Sequence, residues 1–235
     1  MKMTLMQHFA ELRRRILWTA LVFVFAFAFG WLVAPDIESF LVQPLIDIWK
    51  NATLIYTKLT DGLMIHFSLA TLVALIITIP VLLWHVWAYV APGLHKNEKQ
   101  FLLPIFLLSP LLFVCGAAFA FYILFPFVFK FFLDISLTTN LPTVLLPAVK
   151  GYLGFSVGLL KVFGVAFQLP LVLIGLNRIG ILSKQNAIKS RKYVIVCIFI
   201  VAAVLTPPDI VSQILLAVPM WLLFEISVLF MRKDA

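Results

Sequence analysis

Residues 16–33 read ILWTALVFVFAFAFGWLV, a run without a charged side chain that directly follows Arg13, Arg14 and Arg15. An apolar run of about 18 residues or more is long enough for a helix that crosses a lipid bilayer. No small-residue cleavage site follows the run, so we interpret it as a first membrane span and not as a cleavable signal peptide.

The rest of the chain shares this apolar character. Of its 235 residues, 63% are hydrophobic and 12% are charged, and the mean hydropathy is +1.11. Soluble domains are about half apolar and about a quarter charged. The composition therefore predicts an integral membrane protein. The net charge of +8 does not indicate nucleic-acid binding, because the basic residues lie in short loops between apolar runs.

Six apolar segments predict six transmembrane helices in a single polytopic domain, residues 1–235, with an all-α fold. The predicted spans are about 16–33, 67–89, 101–126, 152–176, 194–206 and 210–230. Four of the six contain proline. Membrane helices tolerate internal proline where neighbouring groups satisfy the freed backbone groups. We therefore expect a bundle of kinked helices.

The loops differ strongly in charge. With the N-terminus in the cytoplasm, 13 Lys and Arg side chains fall in cytoplasmic segments and four fall in outer loops. Cytoplasmic loops of membrane proteins carry such an excess of basic residues. The distribution predicts that both termini are cytoplasmic and that the loops after spans two and four face the same side.

The fifth span is short. Its 13 residues give a helix of roughly 20 Å, whereas the hydrocarbon core is about 30 Å thick. Pro207 and Pro208 end this helix and Asp209 can cap the next one, which predicts a tight hairpin of spans five and six. Flanking loops that cover the mismatch and a locally thinned bilayer remain as alternatives.

Two carboxylates stand out on the basic face. Glu11 lies in a short amphipathic helix that leads into the first span, and Glu98 lies in the loop between spans two and three. Locally, Glu11 can pair with Arg15 one turn later, and Glu98 can pair with Lys99 or cap span three. Alternatively, the two carboxylates together can bind a cationic ligand, most naturally a guanidinium.

Polar residues also occur inside the spans, where they are energetically costly. Lys161 and Gln168 are seven residues apart and therefore share one stripe of helix four, while Gln213 and Glu225 lie in the sixth span. These side chains either bond to one another inside the bundle or line a polar groove for a ligand. Because intramembrane charge favours function, we weight the second interpretation more.

Signatures of enzymes are missing from the sequence. We find no Walker loop, no G-x-S-x-G, no H-E-x-x-H and no paired catalytic carboxylates, and the four histidines show no metal-ligand spacing. We therefore expect no enzymatic activity, no metal and no cofactor. An alternative class is a proton-coupled small-solute transporter or permease subunit that uses Lys161 and Glu225.

Five motifs, in order and at the ends of the predicted spans, resemble the C subunit of the twin-arginine protein translocase (the TatC family) along nearly the whole chain. They are HFAELRRR at 8–15, VWAYVAPGL at 86–94 followed by Glu98-Lys99, FGVAFQLP at 163–170, LTPPDIVSQ at 205–213, and Pro219 followed by FEI at 224–226.

The resemblance implies the core receptor of a protein-export machine in a bacterial cytoplasmic (inner) membrane, or in an organelle inner membrane. The family recognises twin-arginine signal peptides of folded cargo at the cytoplasmic face, and the proton-motive force drives transport. The partners implied are single-span A and B subunits and further copies of the same subunit. Signal-peptide binding would fall to Glu11, Arg13, Tyr89, Pro92 and Glu98, and assembly or function within the membrane to Pro44, Asp209, Gln213 and Glu225.

Three positions depart from the family pattern. Gln168 replaces the usual glutamate of helix four, so a protonatable group is missing there although hydrogen bonding is retained. Tyr89 stands where many members have phenylalanine and keeps the ring. Lys161 adds a positive charge without a counterpart in the family, and we expect Glu225 or another acceptor in the bundle to hold it.

Overall fold

The structure is a computed structural model that describes residues 5–49, 53–90, 96–138, 146–206 and 210–232. These residues form a helical bundle, and the all-α prediction is confirmed. The helices are α1 Leu5–Ile48, α2 Asp61–Val90, α3 Lys96–Phe119, a π-helical turn Ala120–Leu124, α4 Phe125–Leu137, α5 Val149–Ala166, α6 Leu169–Arg178, α7 Lys184–Lys189, α8 Arg191–Leu205 and α9 Ile210–Phe230.

Five helical segments of the described chain are long and apolar enough to cross a membrane: Ala10–Ile48, Asp61–Val86, Leu107–Ser136, Val149–Arg178 and Ile210–Phe230. The predicted sixth span coincides with α9. The predicted fifth span corresponds to α8, whose 15 residues are too few for an ordinary crossing. The helix α8 is therefore shorter than an ordinary span, and the count of six spans stays a prediction.

Most internal prolines lie within continuous helices, and one of them coincides with a break. α1 continues past residue 33, the predicted end of the first span, and runs through Pro35 and Pro44 to Ile48. The fourth predicted span is broken between α5 and α6, where Phe167 and Gln168 form a turn and Pro170 lies in the first turn of α6. Proline is favourable there because the first turn of a helix lacks partners for its N–H groups.

Glycines allow close helix contacts at two crossings. A Cβ at position 30 of α1 would lie 2.9 Å from the Ala70 carbonyl oxygen of α2. A Cβ at position 116 of α3 would lie 2.3 Å from the Phe163 carbonyl oxygen of α5. Small residues at such crossings let helix backbones approach each other, which is how membrane helices gain packing energy.

Apolar side chains cover the outside of the bundle. Val204 is 82% exposed, Leu32 is 76% exposed and Phe25 is 69% exposed, whereas Ser156 and Ser227 are fully buried. In water this distribution would expose large apolar patches. In a bilayer the exposed side chains contact lipid, so the surface fits a multi-pass membrane protein.

One end of the bundle, which we call the acidic end, is held by polar contacts between the loop before α2 and the start of α5. Backbone hydrogen bonds join Ile55 to Pro147 (3.1 Å) and Val149 (2.9 Å). The buried Asp61 carboxylate accepts from the Thr57 hydroxyl at 2.8 Å and pairs with Lys150 at 3.3 Å. These contacts fix the N-termini of α2 and α5 at the same level.

A second group of polar side chains stands at the same end. Tyr56 donates its hydroxyl to Glu38 Oε1 at 2.8 Å, and His66 Nε2 lies 3.3 Å from Glu38 Oε2. The hydrogen bond to Glu38 raises the pKa of the Tyr56 hydroxyl above its ordinary value. The contacts join α1, the following loop and α2.

Candidate functional site

The opposite end of the bundle, which we call the basic end, contains the N-terminal part of α1, the C-terminal part of α2 and the start of α3. The Arg15 guanidinium links the first two. It donates from Nε to Glu11 Oε1 at 3.0 Å, from Nη1 to the His85 carbonyl oxygen at 3.4 Å and from Nη2 to the Ala88 carbonyl oxygen at 3.3 Å. Nη2 also donates to Glu11 Oε1.

This arrangement confirms the local pairing of Glu11 with Arg15. It also shows that Arg15 links α1 to α2. The last carbonyl groups of a helix lack intrahelical partners and carry partial negative charge. Arg15 satisfies the Ala88 carbonyl in the last turn of α2 and also donates to the His85 carbonyl just before that turn, so its guanidinium is fixed between the two helices. Glu11 is therefore held in one orientation by a cation that is itself anchored.

The Glu11 carboxylate keeps acceptor capacity. Both hydrogen bonds from Arg15 end on Oε1, and among the described residues no hydrogen bond reaches Oε2. The side chain of Glu11 is 26% exposed. An ionised carboxylate can accept about four hydrogen bonds in total. Glu11 can therefore bind a second cation without losing Arg15.

A narrow groove of about 90 Å³ runs between α1 and α2 beside this pair. Its walls are mostly apolar and include Tyr89, which is half-buried. The lining residues are Leu12, Arg15, Ile16, Thr19, Leu82, His85, Val86 and Tyr89. The fold thus places an apolar channel and an aromatic ring next to a positioned carboxylate.

The structure places the other predicted signal-peptide residues less closely together. Arg13 is exposed and two residues from Glu11, so it projects from a different side of α1. Glu98 is the third residue of α3, which puts its backbone at the basic end, but its side chain lies outside the described part. Pro92 also lies outside the described residues.

Gln168 holds α3 against the turn between α5 and α6. Its Nε2 donates to the Ser109 carbonyl oxygen at 3.0 Å, and its Oε1 accepts the Ser109 hydroxyl. The amide thus acts as donor and acceptor at once, which an ionised glutamate cannot do. Ser109 was not predicted, and its place in an apolar run gives no sequence signal for this role.

Glu225 pairs with Arg191, not with Lys161. Arg191 Nη2 of α8 lies 2.6 Å from Glu225 Oε2 of α9. Arg191 is nearer than Lys161 because the short α8 begins beside the end of α9. Lys161 is half-buried and has no carboxylate within ion-pair distance among the described side chains. The expectation that Glu225 holds Lys161 is therefore wrong.

The remaining predicted assembly residues lie on different helices. Gln213 donates from Nε2 to the Phe199 carbonyl oxygen at 3.1 Å and so ties α9 to α8. Pro44 lines a groove of about 360 Å³ between α1 and the π-helical turn, close to Asp47. Asp209 lies outside the described residues. The two described residues of this group, Pro44 and Gln213, do not lie together in one site.

Comparison with known proteins gives a consistent result along the chain. The family model of the Sec-independent protein translocase protein (TatC) matches residues 7–219. The chain is 38% identical over 231 residues to the Sec-independent protein translocase protein TatCy of Bacillus subtilis, covering 98% of this chain and 89% of the relative. It is 37% identical over 229 residues to the TatC protein of Escherichia coli strain K12, covering 97% and 88%.

Two solved structures have the same fold. A crystal structure of the twin-arginine translocase receptor TatC superposes with a TM-score of 0.85 at 34% identity, covering 94% of this chain and 96% of that one. A crystal structure of the same receptor in DDM gives a TM-score of 0.87 at 33% identity, covering 96% and 99%. The likeness extends over the whole bundle.

Proposed function

The chain belongs to the TatC family of the Sec-independent twin-arginine translocase, and on that premise we propose that its basic end is the receptor surface for twin-arginine signal peptides of folded cargo. The observation that carries the proposal is the Glu11 carboxylate, which Arg15 fixes through Oε1 and which offers Oε2 to a ligand. A guanidinium is the cation that suits such an acceptor best, because it donates in a planar fork.

Glu98 supplies the second carboxylate in this proposal. α2 ends at Val90 and α3 begins at Lys96, and six residue steps span at most about 20 Å. Glu98 is the third residue of α3, so its backbone lies at the same end of the bundle as Glu11. Two carboxylates at one end match a ligand with two consecutive arginines.

The groove between α1 and α2 gives the apolar stretch of a signal peptide an adjacent surface. Leu12, Ile16 and Val86 contribute apolar walls, and Tyr89 and Arg15 also line the groove. A peptide whose arginines contact Glu11 would therefore bring the residues that follow them to an apolar lining. In this arrangement Arg13 stands at the surface, where it meets cargo or lipid headgroups.

We further propose that the basic end faces the cytoplasm of a bacterial inner membrane and that the chain has six spans, with α8 as a short fifth one. The excess of Lys and Arg at this end supports the orientation. The partners in this proposal are single-span A and B subunits and further copies of the chain, with the proton-motive force as the source of energy for transport.

The transporter alternative has less support. A transporter needs its ionisable groups near the bilayer midplane, but Glu225 pairs with Arg191 at the start of α8. Gln168, in the turn between α5 and α6, is neutral and bonded to Ser109. The described residues thus provide no acid–base pair along a pathway.

A titration of the purified chain in detergent tests the proposal. A fluorescent signal peptide with two arginines is compared with the same peptide carrying two lysines. We expect the twin-lysine peptide to bind at least about tenfold more weakly, because lysine cannot form the bidentate hydrogen bonds of arginine. Equal affinity for the two peptides would contradict the proposal.

A further inference from the structure

A groove of about 360 Å³ lies between α1 and the π-helical turn, and its floor is aromatic. The rings of Phe40 and Phe121 stack on each other at 4.7 Å, and both line the groove. The groove is open to its surroundings, since Phe40 is 55% exposed and Tyr122 is 69% exposed. Because exposed apolar side chains of the bundle contact lipid in a bilayer, lipid has access to this groove.

A carboxylate lines the groove toward the acidic end of the bundle. Asp47 is the residue before the last one of α1, and it is exposed. Its Oδ1 accepts a hydrogen bond from the Gln43 amide at 3.4 Å. Among the described residues, no lysine, arginine or histidine lies within ion-pair distance of Asp47. The carboxylate therefore keeps acceptor capacity for a cation that comes from outside the chain.

A lysine of α4 comes to a similar level. Lys130 follows Pro126, which lines the groove, by four residues, so the two share one face of the helix. From the stacked rings toward the acidic end, α1 rises about 10 Å to Asp47, and the chain after Phe121 rises about 13 Å to Lys130. Lys130 is exposed and has no ion-pair partner in the described part of the chain. The groove thus combines an aromatic floor with one negative and one positive side chain near its end.

We propose that this groove binds a zwitterionic membrane lipid with a primary ammonium in its headgroup, namely phosphatidylethanolamine. The ammonium contacts Asp47, the phosphate contacts Lys130, and an acyl chain lies along the aromatic floor. A primary ammonium has three N–H donors for the carboxylate, whereas the trimethylammonium of a choline headgroup has none. The carboxylate therefore selects ethanolamine over choline. Assignment of the lipid to the outer leaflet rests on the proposed orientation of the chain.

Charge complementarity favours this lipid over other occupants. An anionic lipid would bring a phosphate to Lys130 but no cation to Asp47, and a wholly apolar segment would satisfy neither side chain. A second copy of the chain would meet the groove with its own groove in a two-fold interface, because such an interface joins identical surfaces. Two concave surfaces cannot fill each other, so the aromatic floor of both copies would stay uncovered.

Native mass spectrometry of the purified full chain in detergent tests the selectivity. Phosphatidylethanolamine, phosphatidylcholine and phosphatidylglycerol with the same acyl chains are offered together in equal amounts. We expect about fivefold more adduct with phosphatidylethanolamine than with either of the others, because a charged hydrogen bond is gained. Asp47→Asn should remove this preference. The matched control Asp36→Asn, which changes another exposed acid of α1, should keep it.

Two further measurements locate the lipid and guard against a folding defect. A phosphatidylethanolamine with a photoactivatable group in its acyl chain should label residues 40–48 and 121–126 of the chain in nanodiscs, and Lys130→Gln should lower this labelling. Asp47→Asn should keep the Tm of wild type, because the side chain is exposed. Charge reversal in Asp47→Lys should turn the preference toward phosphatidylglycerol, a gain of binding that a misfolded protein would not show.

Several results would overturn the inference. These are equal adducts with all three lipids, equal effects of Asp47→Asn and Asp36→Asn on the preference, or labelling at other segments of the chain. A lipid-free dimer that Asp47→Asn dissociates would make the groove an interface between copies of the chain.

The lipid site and the receptor function fail separately. Binding of the twin-arginine peptide depends on the basic end, so Asp47→Asn should leave it unchanged. If wild-type protein did not distinguish the twin-arginine from the twin-lysine peptide while it still selected phosphatidylethanolamine through Asp47, the receptor function would be wrong and the lipid site would stand.

Discussion

Both hydrogen bonds from the Arg15 guanidinium to Glu11 end on Oε1 of the carboxylate, while the same guanidinium also donates to the His85 and Ala88 carbonyl oxygens of α2. Arg15 thus positions Glu11 and fastens α1 to α2 in one arrangement. An acceptor that is fixed before its ligand arrives loses little conformational entropy on binding. We regard this pair as the centre of the receptor surface.

Arg15→Leu should lower both stability and peptide affinity. The variant removes the donors for two carbonyl groups of α2 and leaves Glu11 without its anchor, at a cost of about 1–3 kcal/mol. We expect a Tm lower by several degrees and weaker binding of a twin-arginine peptide, measured by thermal unfolding and by titration in detergent.

Arg14→Leu is the matched control for this prediction. Arg14 is the neighbouring residue, carries the same charge and is exposed. Its removal should leave the Tm unchanged and reduce peptide affinity little. If Arg14→Leu and Arg15→Leu behaved alike, the role of Arg15 would be one of general charge and not of positioning.

The contact between Gln168 and Ser109 should couple the stability of two helices. Gln168→Ala removes both hydrogen bonds of this contact, whereas Ser109→Ala removes only the one that the Ser109 hydroxyl donates, because the Gln168 amide donates to the Ser109 backbone carbonyl oxygen. We expect the double variant to lose less stability than the sum of the single ones, with a coupling energy of about 0.6–1.7 kcal/mol. Thermal unfolding of the four proteins in detergent measures this coupling, and strict additivity would contradict the contact.

Gln168→Glu tests whether the neutral amide at this position contributes to stability. An ionised glutamate cannot donate to the Ser109 carbonyl oxygen, so that hydrogen bond is lost unless the carboxyl is protonated. We expect the Gln168→Glu variant to be less stable at neutral pH than at acidic pH, relative to wild type. A glutamate variant as stable as wild type at neutral pH would show that donation from Gln168 contributes nothing.

The crossing of α3 and α5 should not tolerate a methyl group. In Gly116→Ala the new Cβ would lie 2.3 Å from the Phe163 carbonyl oxygen, and backbone atoms cannot move aside as a side chain can. We expect a loss of about 1–3 kcal/mol, measured as a lower Tm. Gly154→Ala is the control, since its Cβ would meet nothing within 4 Å, and it should be neutral or slightly stabilising.

Composition and charge predicted the class of fold but not the contacts between helices. Five of the six predicted spans correspond to helices long enough to cross a membrane, because lipid requires a long apolar segment, and the boundaries of α9 matched the prediction. Hydropathy says little about helices that continue outside the apolar run, so α1 was expected to be shorter than it is. The break at Phe167 and Gln168 followed from the position of Pro170 only once the structure was known.

In the candidate site, too, the sequence predicted local contacts but not contacts between distant residues. The pairing of Glu11 with Arg15 is local, four residues apart, and a helical pattern was enough to predict it. The pairing of Glu225 with Arg191 joins residues 34 apart in the chain. Such a contact depends on how α8 and α9 pack, which periodicity does not reveal, so the sequence did not distinguish Arg191 from Lys161 as the partner.

The coupling between Glu11 and the arginines of the signal peptide tests the central claim most directly. Affinities of wild type and Glu11→Gln for the twin-arginine and twin-lysine peptides form a double-mutant cycle, with Asp36→Asn, an exposed residue of the same helix, as the control. We predict that Glu11→Gln weakens the twin-arginine peptide by about 1.5–3 kcal/mol more than the twin-lysine peptide, and that adding Glu98→Gln abolishes the preference. Equal weakening of both peptides, or none, would contradict the account.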